Sequence, residues 1–99
     1  MSAHRTHRSD GNADEIINAL QGCGASVFRI NPSGGRRNGL PDVVIGIDGT
    51  TLLAEIKQPG GKLTDEQIDW HAAWRGAPVH VLRSVEDVGA LVGAVRTGS

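Results

Sequence analysis

Cysteine is nearly absent from this sequence. Cys23 stands alone, so the chain can build neither a disulfide framework nor a Cys-rich zinc site. That usage suits a reducing, cytoplasmic setting. Aromatic residues are almost as scarce, with Phe28, Trp70 and Trp74 making up the whole set. A stacking platform for single-stranded nucleic acid is therefore poorly supported. No apolar run is long enough to span a membrane, and the N-terminus lacks a signal-peptide pattern. Bulk charge is missing too. The formal net charge is −1, so nucleic-acid binding would have to come from local clusters of basic residues, many of them Arg. Within these limits, 99 residues suffice for one domain with one modest core.

What the chain does have is a strong hairpin signal between Leu40 and Lys57. Val43–Ile47 is an apolar, β-branched run, and Thr50–Ile56 is a second run of strand formers. Asp48-Gly49 lies between them and suits a type I′ turn, which needs positive φ at both central residues. A two-residue turn pairs Ile47 with Thr50. It also sets Asp42 directly opposite Glu55, with Cβ atoms about 5 Å apart. Lys57 falls on the same face as Glu55, because side chains alternate along a strand. Two carboxylates facing each other destabilise a sheet unless something offsets them. A solvated outer face with Lys57 neutralising Glu55 is one explanation. A divalent cation held between the carboxylates is the other, since hard cations take oxygen ligands and keep several waters. Val43, Val44, Ile45, Leu52 and Leu53 suit strands buried on both faces, where charges are rare without a task.

Residues 1–11 read as a flexible basic tail, and residues 12–96 as a single domain. His4 and His7 in the tail are read as solvated residues and not as a metal site. A helix is expected over Asn12–Cys23, with Ile16, Ile17 and Leu20 as its buried stripe and Gly22 and Gly24 at its end. Asn12 and Glu15 resemble a capping box there, so Glu15 reads first as a cap and second as an acid aimed at Asp42 and Glu55. Ala25–Ile30 is the first strand. The loop Asn31–Gly39 contains Ser33, Arg36 and Arg37 among glycines that let backbone amides approach a ligand. It is either a surface loop or a phosphate-contacting one.

Gln58–Lys62 is not a phosphate-binding P-loop. That motif needs Gly at position 56 and Ser or Thr after Lys62, and the chain has Ile56 and Leu63. Thr64 and Gln67 form a capping box at the start of a helix over Thr64–Arg75. Gln67, Trp70, His71 and Trp74 share one side of it. The two Trp read as core or subunit-contact residues, and His71 as a surface or packed histidine and not a catalyst. A short strand, Val79–Leu82, follows. Ser84 then caps a last helix with the stripe Val85, Val88, Leu91, Val92 and Val95. The expected fold class is α/β, a mixed sheet flanked by helices in the order α-β-β-β-α-β-α.

Gly39-Leu-Pro-Asp42, then Glu55-Ile-Lys57, then Gln67 on the next helix resembles the PD-(D/E)xK nuclease superfamily. More narrowly, the chain is similar to a small stand-alone VRR-NUC (virus-type replication-repair nuclease) domain. The resemblance runs from Glu15 to about Val85 and implies a restriction-endonuclease-like sheet. It implies that Asp42 and Glu55 are ligands of Mg²⁺ or Mn²⁺, that the Ile56 carbonyl joins them, and that Lys57 is the catalytic lysine. It also implies that Gln67 lies near the site and that Glu15 is an auxiliary ligand. Arg36, Arg37, Lys62 and Ser33 then become candidates for contact with DNA phosphates, which position a duplex without reading its sequence. The implied activity is structure-selective DNA endonuclease action, nicking or junction-resolving, in replication, repair or recombination. Branched, nicked or duplex DNA is the implied partner, and a homodimer the implied assembly. A catalytically silent DNA-binding module on the same fold is the alternative.

Overall fold

A computed structural model describes residues 12–30 and 39–98. Its elements are α1 (Ala13–Gly22), β1 (Ser26–Arg29), β2 (Val43–Ile47), β3 (Thr50–Ile56), α2 (Asp65–Ala73), β4 (His80–Leu82) and α3 (Val85–Arg96). The four strands form one sheet in the order β1-β2-β3-β4. β1–β2 and β2–β3 pair antiparallel, and β3–β4 pair parallel. The mixed sheet with flanking helices expected from the sequence is therefore the fold. β4 can lie parallel to β3 because the connection through α2 is long enough to cross over.

The β2–β3 turn has the expected two-residue geometry. Asp48 has φ 50 and Gly49 φ 80, and Ile47 pairs with Thr50. Long-range bonds hold this turn in place. Arg96 Nε donates to Asp48 Oδ2 at 2.9 Å, and Arg96 Nη2 donates to the Cys23 carbonyl at 2.6 Å.

Alternation along β2 and β3 sends Val43, Ile45, Ile47, Leu52 and Ala54 to one face of the sheet. There they join Ile16 and Leu20 of α1, Leu82 of β4, and Val88, Leu91 and Val92 of α3 in one core. Each Val, Leu or Ile side chain among them contributes roughly 1.5–3 kcal/mol by leaving water. The opposite face carries Val44, Leu53 and Glu55. Val44 and Leu53 are only half-buried, so the expected burial on both faces is corrected. The reason is coverage: α1 and α3 share one side, and among the described residues α2 alone lies over the other. Phe28 pairs with Val44 on that less covered face of an edge strand, and it is 69 % exposed.

Two of the three helix starts follow the expected capping chemistry. Thr64 Oγ1 accepts from Gln67 N–H at 3.1 Å, and Gln67 Oε1 accepts from Thr64 N–H at 2.9 Å. Ser84 Oγ accepts from Asp87 N–H at 3.2 Å. The capping box expected at Asn12 does not form. Asn12 instead sends its side-chain amide to the carbonyls of Lys57 (2.9 Å) and Arg83 (3.1 Å). Those two bonds orient the Asn12 side chain toward the sheet end, and its oxygen does not accept from the first-turn amides as a cap would. One other expectation is also corrected. Val85 leads into α3 too early to reach the core and stays exposed. Of the two readings for Trp74, core or subunit contact, its 43 % exposure removes the first, and the ring stacks on Trp70 with centroids 5.0 Å apart.

Candidate active site

β3 is an internal strand, hydrogen-bonded to β2 on one edge and β4 on the other. Glu55 lies near its end, opposite Val81 of β4, and is fully buried. A buried carboxylate is costly unless polar groups meet it. α2 supplies them. Gln67 and His71 lie four residues apart and so project from one side of the helix. Gln67 Nε2 donates to Glu55 Oε2 at 3.0 Å. His71 Nε2 lies 3.4 Å from Glu55 Oε1. Gln67 uses its other end, Oε1, in the capping box, which fixes which way its amide points.

Asp42 differs from the simple opposed pair expected from the register. The ladder stops at Val43–Ala54. The Asp42 amide donates to the Ala54 carbonyl at 3.0 Å, and the Asp42 carbonyl accepts from Ile30 N–H at 2.9 Å. Its carboxylate turns to the backbone, where Oδ2 accepts from Ile56 N–H at 2.7 Å. Pro41 accounts for the end of the ladder. In the continued register Pro41 would face Ile56, and proline has no N–H to give to a ladder. The missing N–H leaves the Ile56 carbonyl without that ladder donor, while the Ile56 amide donates to the Asp42 carboxylate. The two acids still share one end of β2 and β3, with Asp42 held one residue further along than Glu55.

Lys57 follows directly and is half-buried. Its N–H donates to the Leu82 carbonyl at 3.0 Å, and its carbonyl accepts from Asn12 at 2.9 Å. The backbone carrying this lysine is thus pinned from β4 and from the start of α1. The lysine side chain lies near enough to His71 to act on it. Burial first, and the Lys57 charge second, push the His71 imidazole below its ordinary pKa. Both effects favour the neutral ring.

Lys62 is exposed in the loop after β3, where Arg83 Nε and Nη2 grip the neighbouring Gly61 carbonyl at 3.0 and 2.8 Å. Glu15 is exposed on the first turn of α1. Among the described residues, no group of three or more His, Cys, Asp or Glu gathers where it could hold a metal ion. Ser33, Arg36 and Arg37 lie outside the described residues. The oxygen donors of Asp42 and Glu55 are of the kind that Mg²⁺ and Mn²⁺ accept, and such ions keep waters when the protein supplies few ligands. His71 and Asn12 enter the site without having been singled out for it from the sequence. The signal for His71 was its four-residue offset from Gln67.

Fold and site together define the class. The chain superposes on a solved structure titled "VRR_NUC domain" with a TM-score of 0.67 and 25 % identity, over 85 % of this chain and 94 % of that one. It has the fold of that nuclease class. Residues 5–74 match the model of the archaeal Holliday junction resolvase (Hjc) family, and the chain belongs to that family. The two families share one nuclease superfamily. No curated protein matches the sequence. No helix among the described residues is long and apolar enough to cross a membrane.

Proposed function

We propose that this protein is a divalent-metal-dependent endonuclease that hydrolyses phosphodiester bonds in branched DNA, nicking it or resolving junctions. The observation that carries the reading is the buried Glu55 carboxylate, at the same sheet end as Asp42 and two residues before Lys57. Membership in a junction-resolvase family supports the substrate class.

Asp42, Glu55 and the Ile56 carbonyl would hold Mg²⁺ or Mn²⁺. Pro41 has no N–H with which to occupy that carbonyl, which suits it as a ligand. When bound, such an ion polarises the scissile phosphoryl group and lowers the pKa of a coordinated water. Lys57 orients the attacking water or offsets charge that develops on the phosphate. Its backbone, fixed from both sides, sets the base of that side chain beside Glu55. Gln67 keeps the Glu55 carboxylate in one orientation. Glu15, on the first turn of α1, is the candidate auxiliary acid. Arg36, Arg37, Lys62 and Ser33 contact flanking phosphates, which set register on the DNA and give a salt-dependent affinity limited to a few contacts.

The chain supplies one such site, so paired cuts across a junction call for a homodimer. Nicking does not. The test is a cleavage panel of linear, nicked, flapped and four-way DNA with Mg²⁺ or Mn²⁺. Wild type is expected to cut four-way or flapped DNA in preference to linear duplex, and Lys57→Ala to lose most of that activity. Equal behaviour of the two proteins on every substrate would sink the enzyme reading and leave a DNA-binding module.

A further inference from the structure

α2 is fastened to the sheet by very little apolar surface. Gln67 is its one buried residue, and Ile68 and Trp74 point to solvent. The polar contacts to Glu55 stand in for a hydrophobic stripe. A third point of attachment is Gly39, which is buried at φ +86 with its α-carbon against the Glu66 carbonyl and the Trp70 side chain. The helix is thereby set over the acid end of the sheet with one side facing Glu55.

We propose that His71 is a positioning residue, which together with Gln67 fixes the Glu55 carboxylate by both of its oxygens for metal binding. This rests on the reading of Glu55 as a metal ligand. Gln67 Nε2 reaches Oε2, and His71 Nε2 faces Oε1. An ionised carboxylate only accepts, so the contact is favourable with the proton on Nε2 and Nδ1 bare. Each carboxylate oxygen has a second lone pair, so it can accept from α2 and still face a cation. Groups that hydrogen-bond a metal ligand from behind orient it and change metal affinity by about tenfold to hundredfold. A donor on one oxygen alone would leave the carboxylate free to swing about its Cγ–Cδ bond. With donors on both oxygens, it does not have to be ordered at the moment the ion arrives. The side chain of His71 is 14 % exposed.

Calorimetric titration of the whole chain with Mn²⁺ near neutral pH tests this, using wild type, Asp42→Ala, His71→Ala, His71→Phe and His71→Gln. Wild type is expected to bind and Asp42→Ala to lose binding. His71→Ala and His71→Phe are expected to weaken Mn²⁺ by about tenfold or more. His71→Gln, which restores an N–H donor at similar reach, is expected to recover most of that loss. The Phe and Gln pair carries the comparison if the Ala variant fails to fold. Unchanged affinity in His71→Phe overturns the proposal and leaves the metal site standing. So does a Gln variant as weak as the Phe variant, because packing of the ring would then be its role. Absence of binding in wild type, or full binding in Asp42→Ala, overturns the metal site and this proposal with it.

Discussion

Gln67 is where sequence and geometry meet most directly. Its carbonyl oxygen closes a capping box with Thr64, and its amide nitrogen reaches a carboxylate twelve residues earlier. Gln67→Glu separates the two functions. It keeps an acceptor for the cap but removes the donor to Glu55 and sets a second carboxylate beside it. The expected loss of stability is about 1–3 kcal/mol, the usual cost of leaving a buried polar group unsatisfied, read by chemical denaturation without metal. The capping half of this residue was legible, because Thr-x-x-Gln before a helix is a local pattern. The other half was legible only through resemblance. His71 and Asn12 were harder still. Their partners, Glu55 and Lys57, lie 16 and 45 residues away, and no local periodicity encodes such a meeting. Pro41 could have been read. Extending the hairpin register by one more step places it opposite Ile56, where a residue without an N–H must end the ladder.

Among the elements, the hairpin and the last helix were readable because their signals are short in range. Asp48-Gly49 requires left-handed backbone, and Ser84 offers an oxygen to the amide of Asp87. α2 is the element whose place depends on contacts from elsewhere, and Gly39→Ala probes it. A side chain at φ +86 costs about 1–2 kcal/mol on backbone grounds alone. Its Cβ would also run into the Glu66 carbonyl and come within 3.1 Å of Trp70 Cβ. Hydrogen exchange is expected to speed up for the amides of residues 65–73 and to stay unchanged in α1 and α3, which pack on the other face. Uniform acceleration across all three helices would contradict a separately docked α2. The exposed Phe28 and half-buried Val44 and Leu53 follow from the same arrangement, since one short helix cannot cover the face that two cover opposite it.

For the whole molecule, stability is tied to pH through β4. Burial holds the His80 imidazole below its ordinary pKa. The folded protein therefore binds that proton less readily than the unfolded chain does. Full stability is present above the unfolded value, about 6.5 for histidine. It is lost as the pH falls from there through the lower folded value. The melting temperature of wild type is expected to fall over that window, and that of His80→Gln to fall less steeply. Parallel curves would remove His80 as a cause. The capping box has a further consequence at this scale. Because one side chain closes the start of α2 and donates to Glu55, fraying of that helix end also removes the donor from Glu55 Oε2. Where that end frays, the chain is divided between a competent and an open form. Apparent metal affinity is the intrinsic affinity scaled by the competent fraction, so a substitution in α2 that never touches the site can still lower it.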